Sequence, residues 1–205
     1  MFNYKVYLSL IMGLALLTSC AQNENDTYDN QNHISFATVS DDQRELLNML
    51  SAVNTEVLLF DFVKQATFTQ LEVWVDVYQN GNLINQPSRI IISNENGMPS
   101  EGRVAAVASR DSGGQGFEWT LIFSEEEGVY IVDRGLSFID DALLSRSFGA
   151  ISSPVSIELT QDIILYTSLF TSGPMVSVGD QQRYLTEPEL LSEIDFAYII
   201  KARFS

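Results

Sequence analysis

The clearest pattern in the chain is a strict alternation of apolar and polar positions in several short segments. From Leu71 to Tyr78 every odd position is Leu or Val. The even positions of this segment are Glu72, Trp74, Asp76 and Tyr78. A period of two is typical of a β-strand that buries one face. Asn80-Gly81 follows directly and predicts a hairpin, because both central positions of a type I′ turn need a positive φ.

Similar segments recur along the chain and are separated by turns rich in Gly, Asn, Asp or Pro. A second alternating segment places on one face Phe117, Trp119, Leu121 and Phe123. The C-terminal segment places on one face Phe196, Tyr198, Ile200 and Phe204, opposite Lys201 and Arg203. Further strands are predicted over residues 34–39, 56–63, 83–84 with 90–92, 103–109, 129–132, 154–160, 162–170 and 175–178.

A short helix is predicted from Asp41 to Ala52. Ser40 precedes it and Gln43 comes three positions later, which is a capping-box pattern. Acids at the start of a helix are also favoured by its dipole. Leu46, Leu47 and Leu50 fall on one face of such a helix, which supports the prediction.

A second short helix is predicted to begin at Thr186, which has Pro188 in the first turn and Glu189 three positions on. Residues 135–151 have the weakest pattern, and both a helix and a connecting loop remain open for them.

These elements predict a mostly β fold: a single antiparallel β-sandwich or flattened barrel-like domain with one or two short helices, over residues 33–205. Short strands at regular spacing are typical of such folds. The chain lacks the alternation of strands with long helices that a doubly wound α/β fold requires. About 170 residues is an ordinary size for one domain with its own core.

The first twenty residues have a different pattern. Lys5 is the only charged side chain among them, and an apolar run follows from Val6 to Leu17. Its twelve residues fall short of the roughly 20 that a membrane-spanning helix needs. A short basic start, a short apolar run and a small-residue exit are typical of a secretory signal peptide.

The exit of this segment is Leu17-Thr18-Ser19-Cys20, which resembles the lipobox of bacterial lipoproteins. The resemblance implies that residues 1–19 are a signal peptide and that cleavage occurs between Ser19 and Cys20. It also implies a diacylglyceryl group on the Cys20 sulfur and acylation, for example with palmitate, of the new amino terminus. An ordinary secretory signal and an uncleaved N-terminal helix are the alternatives. Two or more buried acyl chains give stable membrane attachment.

Residues 20–32 are predicted to be the lipidated cysteine and a flexible tether, because they are polar and rich in Asn, Gln and Asp. Once the leader is removed, 10 basic and 27 acidic residues remain, a formal charge of −17. Anionic headgroups repel such a body. Membrane attachment would therefore depend on the lipid, with the domain on the outer side of a bacterial membrane.

Composition excludes several classes of function. The formal charge of −16 disfavours nucleic acid as a partner, because phosphates require clustered Lys and Arg. A single Cys and a single His exclude thiolate-rich and multi-histidine metal centres. The chain carries no nucleophile-elbow or phosphate-loop motif. No cofactor, no metal and no enzymatic activity are therefore expected.

Acidic clusters occur at Asp41-Asp42, Glu125-Glu126-Glu127 and Asp140-Asp141. None has the spacing of a calcium loop. They are interpreted as solvated surface, with a cationic partner or Ca²⁺ as the alternative.

The strand from Leu71 to Tyr78 contains the one candidate binding surface. Trp74 and Tyr78, interleaved with Glu72 and Asp76, combine aromatic and acidic groups that suit sugar rings or cationic peptides. The alternative is a strand packed on both faces.

The sequence therefore predicts a membrane-anchored lipoprotein that displays an acidic β-rich domain for binding or interaction at the cell envelope, with a protein or a carbohydrate as ligand. One alternative is a structural or assembly component of the envelope. Another is a glycoside hydrolase with two carboxylates about 5 to 9 Å apart beside Trp119 or Trp74.

The fragment from His33 to Ser205 is expected to be soluble and to give a β-type far-ultraviolet circular dichroism spectrum, because its pattern is built from strands. A helix-dominated spectrum would contradict this fold prediction.

Overall fold

The computed structural model describes residues 32–51, 55–95, 97–110, 116–125, 128–138 and 144–205. The predicted signal peptide with its cleavage site at Ser19 and Cys20, and the predicted tether up to residue 31, lie outside the described residues. Glu126-Glu127 and Asp140-Asp141 also lie outside them.

Two six-stranded antiparallel sheets contain all of the named strands. Sheet A has the strand order β10-β1-β2-β6-β7-β8. Its strands are β1 (His33–Phe36), β2 (Thr55–Val63), β6 (Glu101–Arg110), β7 (Gly116–Glu125), β8 (Gly128–Phe138) and β10 (Val155–Ser156). In sheet B the order is β3-β12-β11-β9, and both β4 and β5 pair with the outer edge of β3. Its strands are β3 (Gln70–Gln79), β4 (Asn82–Asn85), β5 (Arg89–Ser93), β9 (Ser145–Ala150), β11 (Asp162–Thr171) and β12 (Phe196–Phe204).

The sheets pack face to face around one apolar core, which confirms the predicted sandwich. The ring of Trp119 on β7 lies 5.2 Å from that of Tyr198 on β12, and Phe62 on β2 lies 5.5 Å from Phe204. The alternating positions of the sequence occupy this interface, because one face of each strand is excluded from water. The fully buried inner residues of β3 are Leu71, Val73, Val75 and Val77.

The predicted hairpin turn is confirmed. Asn80 has φ of 48° and Gly81 has φ of 77°, so both central residues adopt the left-handed conformation. The two strands that this turn joins are β3 and β4.

The first helix, α1 (Asp41–Ser51), has the predicted cap. The backbone N–H of Ser40 donates to Gln43 Oε1 (2.9 Å), and the N–H of Gln43 donates to Ser40 Oγ (3.3 Å). Of the residues of its predicted apolar face, Leu46 is 58% exposed and Leu47 is half-buried. The side chain of Leu50 lies outside the described residues.

The segment before β12 forms helix α2 (Arg183–Thr186) and a 3-10 helix (Pro188–Glu193). Thr186 ends the first helix rather than capping the second, because its Oγ1 donates back to the carbonyl of Arg183 (3.2 Å). These turns cover part of the outer face of sheet B. The buried residues of this second apolar cluster are Ile164, Leu169, Tyr184, Leu191, Ile194, Ala197 and Ile199.

None of the helices in the described part of the chain has the length and hydropathy that crossing a bilayer requires.

Three further segments differ from the sequence prediction. Residues 175–178 form no strand, since Met175 is 71% exposed and no neighbouring strand pairs with the segment among the described residues. Residues 154–160 contain only the two-residue strand β10, and Thr160 interrupts the extended backbone with φ of 63°. Residues 135–151, for which a helix or loop was expected, contain the end of β8 and all of β9.

Asn32, assigned to the tether by sequence, is held by the folded domain. Its Oδ1 accepts hydrogen bonds from the backbone N–H groups of Gln65 (2.6 Å) and Ala66 (2.9 Å). The ordered part of the chain therefore includes Asn32.

One side of the sandwich is closed by contacts between β8 and the segment that precedes β5. Ser88 Oγ and the backbone N–H of Arg89 both donate to Asp133 Oδ2, at 3.0 and 2.8 Å. Gly135 permits this approach, because a Cβ at that position would overlap the carbonyl group of Pro87. The position thus requires glycine because the backbones at Gly135 and Pro87 are in direct contact.

Gly135→Ala is expected to lower the free energy of unfolding by about 1–3 kcal/mol, the ordinary cost of overpacking. Urea denaturation of the two proteins measures the change. Gly173→Ala is the matched control, since the nearest atom to its added Cβ is Thr171 Oγ1 at 3.4 Å. Equal denaturation midpoints for Gly135→Ala and the parent would contradict the packing argument.

Candidate ligand-binding cleft

The four residues of the predicted binding surface do come together, on the outer face of sheet B. They are mostly buried and already paired: Glu72 forms an ion pair with Arg89, and the Trp74 ring lies 5.4 Å from the Arg203 guanidinium. Asp76 forms an ion pair with Lys201 Nζ at 2.8 Å. The groups that were expected to meet a ligand therefore meet cations of the neighbouring strands.

Tyr78 and Lys201 complete this network. Tyr78 Oη donates to Asp76 Oδ2 (3.2 Å) and accepts a hydrogen bond from Lys201 Nζ (3.1 Å). Burial by itself lowers the pKa of Lys201, but the hydrogen bond and the charge of Asp76 outweigh it and raise the pKa above its ordinary value. The network thus keeps its charges and stabilises the contact between β3 and β12.

A different site lies between the sheets, at one end of the sandwich. There β2 begins, β6 ends and β7 begins, and β9 faces them from sheet B. The cleft has a volume of about 370 Å³ and is lined by Thr55, Glu56, Ala108, Arg110, Phe117, Arg146 and Phe148. Its size is within the range of small-molecule sites.

Strand periodicity turns these residues inward. Glu56 has the same parity on β2 as the core residues Leu58 and Phe60, so its side chain continues the inner face beyond the apolar core. Arg110 extends the inner face of β6 in the same way. The polar side chains therefore lie where the apolar core ends.

A β-bulge on β11 adds a further group to the cleft. The pairing with β12 shifts register between Ile164 and Tyr166, so that Leu165 and Tyr166 both belong to the main core. The side-chain amide of Gln182 binds the backbone at the bulge: Nε2 donates to the Ile164 carbonyl (2.7 Å) and Oε1 accepts from its N–H (3.1 Å). The bulge thus turns Tyr166 and Ser168 toward the cleft without leaving Ile164 unpaired.

Arg146 is the centre of the hydrogen-bond network at this end. Its Nη2 donates to Glu56 Oε2 (2.5 Å) and to Tyr166 Oη (2.7 Å), and its Nε donates to Ser168 Oγ (2.7 Å). Tyr166 Oη in turn donates to Glu56 Oε1 (2.8 Å). The guanidinium is therefore held in one orientation by three residues from both sheets.

Aromatic rings surround the two cations. The Arg146 guanidinium lies 4.9 Å from the ring centre of Phe148 and 6.0 Å from that of Phe117. The Arg110 guanidinium lies 4.9 Å from the same Phe117 ring. Phe148 is 61% exposed, which is unusual for a ring beside a buried network. The cleft thus combines two cations, one acid and an accessible apolar wall.

The electrostatics of the network keep Tyr166 protonated and Arg146 charged. Burial raises the pKa of Tyr166 far above its ordinary value, and the carboxylate of Glu56 raises it further. Burial opposes the charge of Arg146, but Tyr166 and Glu56 outweigh this effect and raise its pKa. The phenol remains a hydrogen-bond donor and the guanidinium a cation at every physiological pH.

A second depression, of about 440 Å³, lies on sheet A and is lined in part by the ion pair of Asp61 and Arg103. Arg103 Nε and Nη2 donate to the two oxygens of Asp61, at 2.6 and 2.8 Å. Asp61 and Arg103 face each other directly on β2 and β6, so they satisfy each other as a cross-strand pair. Among the described residues no group of three or more His, Cys, Asp or Glu side chains could hold a metal ion.

The sequence signal for the cleft was weak because Arg146 lies in the least patterned stretch, residues 135–151. Glu56 and Tyr166 are 110 residues apart in sequence. Only the convergence of β2, β9 and β11 brings them together, and the bulge reverses the parity that a simple alternation would assign to Tyr166.

Comparison with protein families matched residues 33–204 to the YgaN domain. Comparison with curated proteins and with solved structures gave no match.

Tyr166→Phe is expected to lower the free energy of unfolding at pH 7 by about 1–3 kcal/mol, because Arg146 loses an acceptor and Glu56 a donor. The substitution should also change how the free energy of unfolding depends on pH in the alkaline range. The raised pKa of Tyr166 stabilises the fold fully below the ordinary tyrosine value of about 10, and this contribution is lost as pH rises further.

Above pH 10 the parent should therefore lose about 1.4 kcal/mol per pH unit more than Tyr166→Phe, since only the unfolded parent releases this proton. Urea denaturation between pH 8 and 11 measures both slopes. Parallel slopes would show that Tyr166 titrates normally.

Proposed function

We propose that this chain, which belongs to the YgaN domain family, is a bacterial lipoprotein that presents its folded domain outside the cytoplasmic membrane for ligand binding. Cys20 carries the lipid, residues 21–31 form the tether, and the domain binds its ligand in the cleft between Arg110 and Arg146. A fold that is mostly β and built around one core suits display of a rigid site.

The leader supports the anchor. The apolar run from Val6 to Leu17 ends in Leu17-Thr18-Ser19-Cys20, which resembles a lipobox. Cys20 is the only cysteine in the chain, so no disulfide partner accounts for it. With a formal charge of −17 after cleavage, the domain needs a covalent lipid to remain at an anionic membrane.

The observation that carries the binding role is the fixed Arg146 guanidinium at an open cleft. Ordering a long cationic side chain costs conformational entropy. Because three hydrogen-bond partners already hold Arg146 in one orientation, a ligand does not have to order it. A site whose donors are oriented before the ligand arrives binds more tightly than a flexible one.

Among the described residues, the two tryptophans named for the hydrolase alternative give it less support. It required a tryptophan beside two separated acids, but Trp119 is 1% exposed in the core and Trp74 is 5% exposed under Arg203. Neither ring offers its face to a sugar. Glu72 and Asp76, which flank Trp74, are both ion-paired.

Cys20→Ser is expected to abolish labelling of the protein by a fatty-acid analogue and to leave an uncleaved precursor, because the sulfur is the site of lipid attachment. Mass spectrometry of the amino terminus and membrane fractionation measure both effects. Ser19→Ala is the matched control, since it keeps a small residue before the cysteine and should be labelled and cleaved normally. Labelling that survives in Cys20→Ser would refute the anchor.

A further inference from the structure

We propose that the cleft recognises a singly charged carboxylate attached to an apolar or aromatic body. This proposal rests on the proposed binding role and names the class of ligand. Its structural basis is the juxtaposition of the Arg110 and Arg146 guanidinium groups with the rings of Phe117 and Phe148.

Charge contrast is the first reason. The chain has a formal charge of −16, yet the described lining of the cleft contains two arginines and one acid. That acid, Glu56, is already shared between Arg146 and Tyr166. Basic side chains therefore outnumber acidic ones in the described lining, although the chain as a whole is acidic. A monoanion can reach it, whereas each extra negative charge on a ligand is repelled by the rest of the surface.

The remaining donors of Arg146 are the second reason. Its hydrogen bonds with described residues use Nε and Nη2, so the two N–H groups of Nη1 have no partner among those residues. The Arg146 side chain is 31% exposed, so solvent reaches it. Guanidinium donors in a fixed plane match the geometry of a carboxylate.

The apolar wall is the third reason. The exposed Phe148 ring stands beside the Arg146 guanidinium and would be covered by the body of the ligand, whereas the Phe117 ring is only 6% exposed and already belongs to the core. Burying an exposed ring contributes favourable free energy in proportion to the apolar area removed from water. A volume of about 370 Å³ admits a ring with a short chain. Both a free aromatic acid and the carboxyl end of a peptide chain have this chemistry.

The test measures binding of small probes to the purified full-length chain by ligand-observed NMR. The probes are phenylacetate, N-acetyl-phenylalaninate, phenylacetamide and phenyl phosphate. The carboxylates are expected to bind at least about tenfold more tightly than the neutral amide, the size of one charge-assisted hydrogen bond. They should also bind more tightly than the dianionic phosphate. The ratio of the affinities for phenylacetate and N-acetyl-phenylalaninate shows whether the cleft prefers a free aromatic acid or the carboxyl end of a peptide chain.

Arg110→Met is expected to weaken carboxylate binding at least about tenfold while leaving the fold intact, because Arg110 is exposed and lies outside the Arg146 network. Arg146→Met should weaken it further, with circular dichroism as the check on folding. The control is Arg183→Met, whose ion pair with Glu187 lies on the surface of α2 and should leave binding unchanged.

Equal binding of phenylacetate and phenylacetamide, tighter binding of phenyl phosphate, or unchanged binding by Arg110→Met would each overturn the proposal. These outcomes are independent of the anchor, since the probes bind the purified chain whether or not Cys20 is lipidated. A failed lipid-labelling experiment would in turn leave the carboxylate selectivity standing.

Discussion

The ring of Phe117 is the contact on which both the fold and the site depend. On its core side it packs against Tyr198 at 5.4 Å and against Phe170 at 6.1 Å, so it joins the two sheets. The same ring lies against the guanidinium groups of Arg110 and Arg146. The end of the apolar core is therefore also the floor of the cleft, and both guanidinium groups lie against a ring of the closely packed core.

Charge is distributed in two distinct ways on this acidic chain. On the outer face of sheet B, acids of β3 form ion pairs with cations of the adjacent strands. At the cleft, Glu56 pairs with Arg146, and the described lining includes a second arginine, Arg110. A basic depression on an acidic surface discriminates among anions by their total charge, because repulsion acts on the whole ligand and attraction acts on one group.

The sequence was informative wherever alternation extended over a full strand. The inner faces of β3, β7 and β12 were predicted residue by residue, because a one-residue slip would move apolar side chains into water. The cap of α1 and the Asn80-Gly81 turn were predictable as well, since both depend on local hydrogen bonds and backbone angles. The burial of the outer face of β3 was foreseen only as an alternative, because the cations that pair with Glu72 and Asp76 come from other strands.

Short or irregular segments set the limit of prediction. Residues 175–178 are apolar enough for a strand, but nothing pairs with them among the described residues. The segment around Arg146 has no period, since β9 is a short edge strand. The candidate cleft could not be predicted because its residues come from five strands, and because pairing alone decides which face of β11 points inward.

The bulge between Ile164 and Tyr166 makes the cleft depend on the pairing of β11 as well as on its composition. If β11 had its present length but no bulge, alternation from Ile163 and Leu165 would turn Thr167 and Leu169 inward in place of Tyr166 and Ser168. Leu169 would still offer an apolar group to the interior, but Arg146 would lose two of its three partners. A protein of the same architecture with an unbroken β11 of this length would therefore lack these contacts.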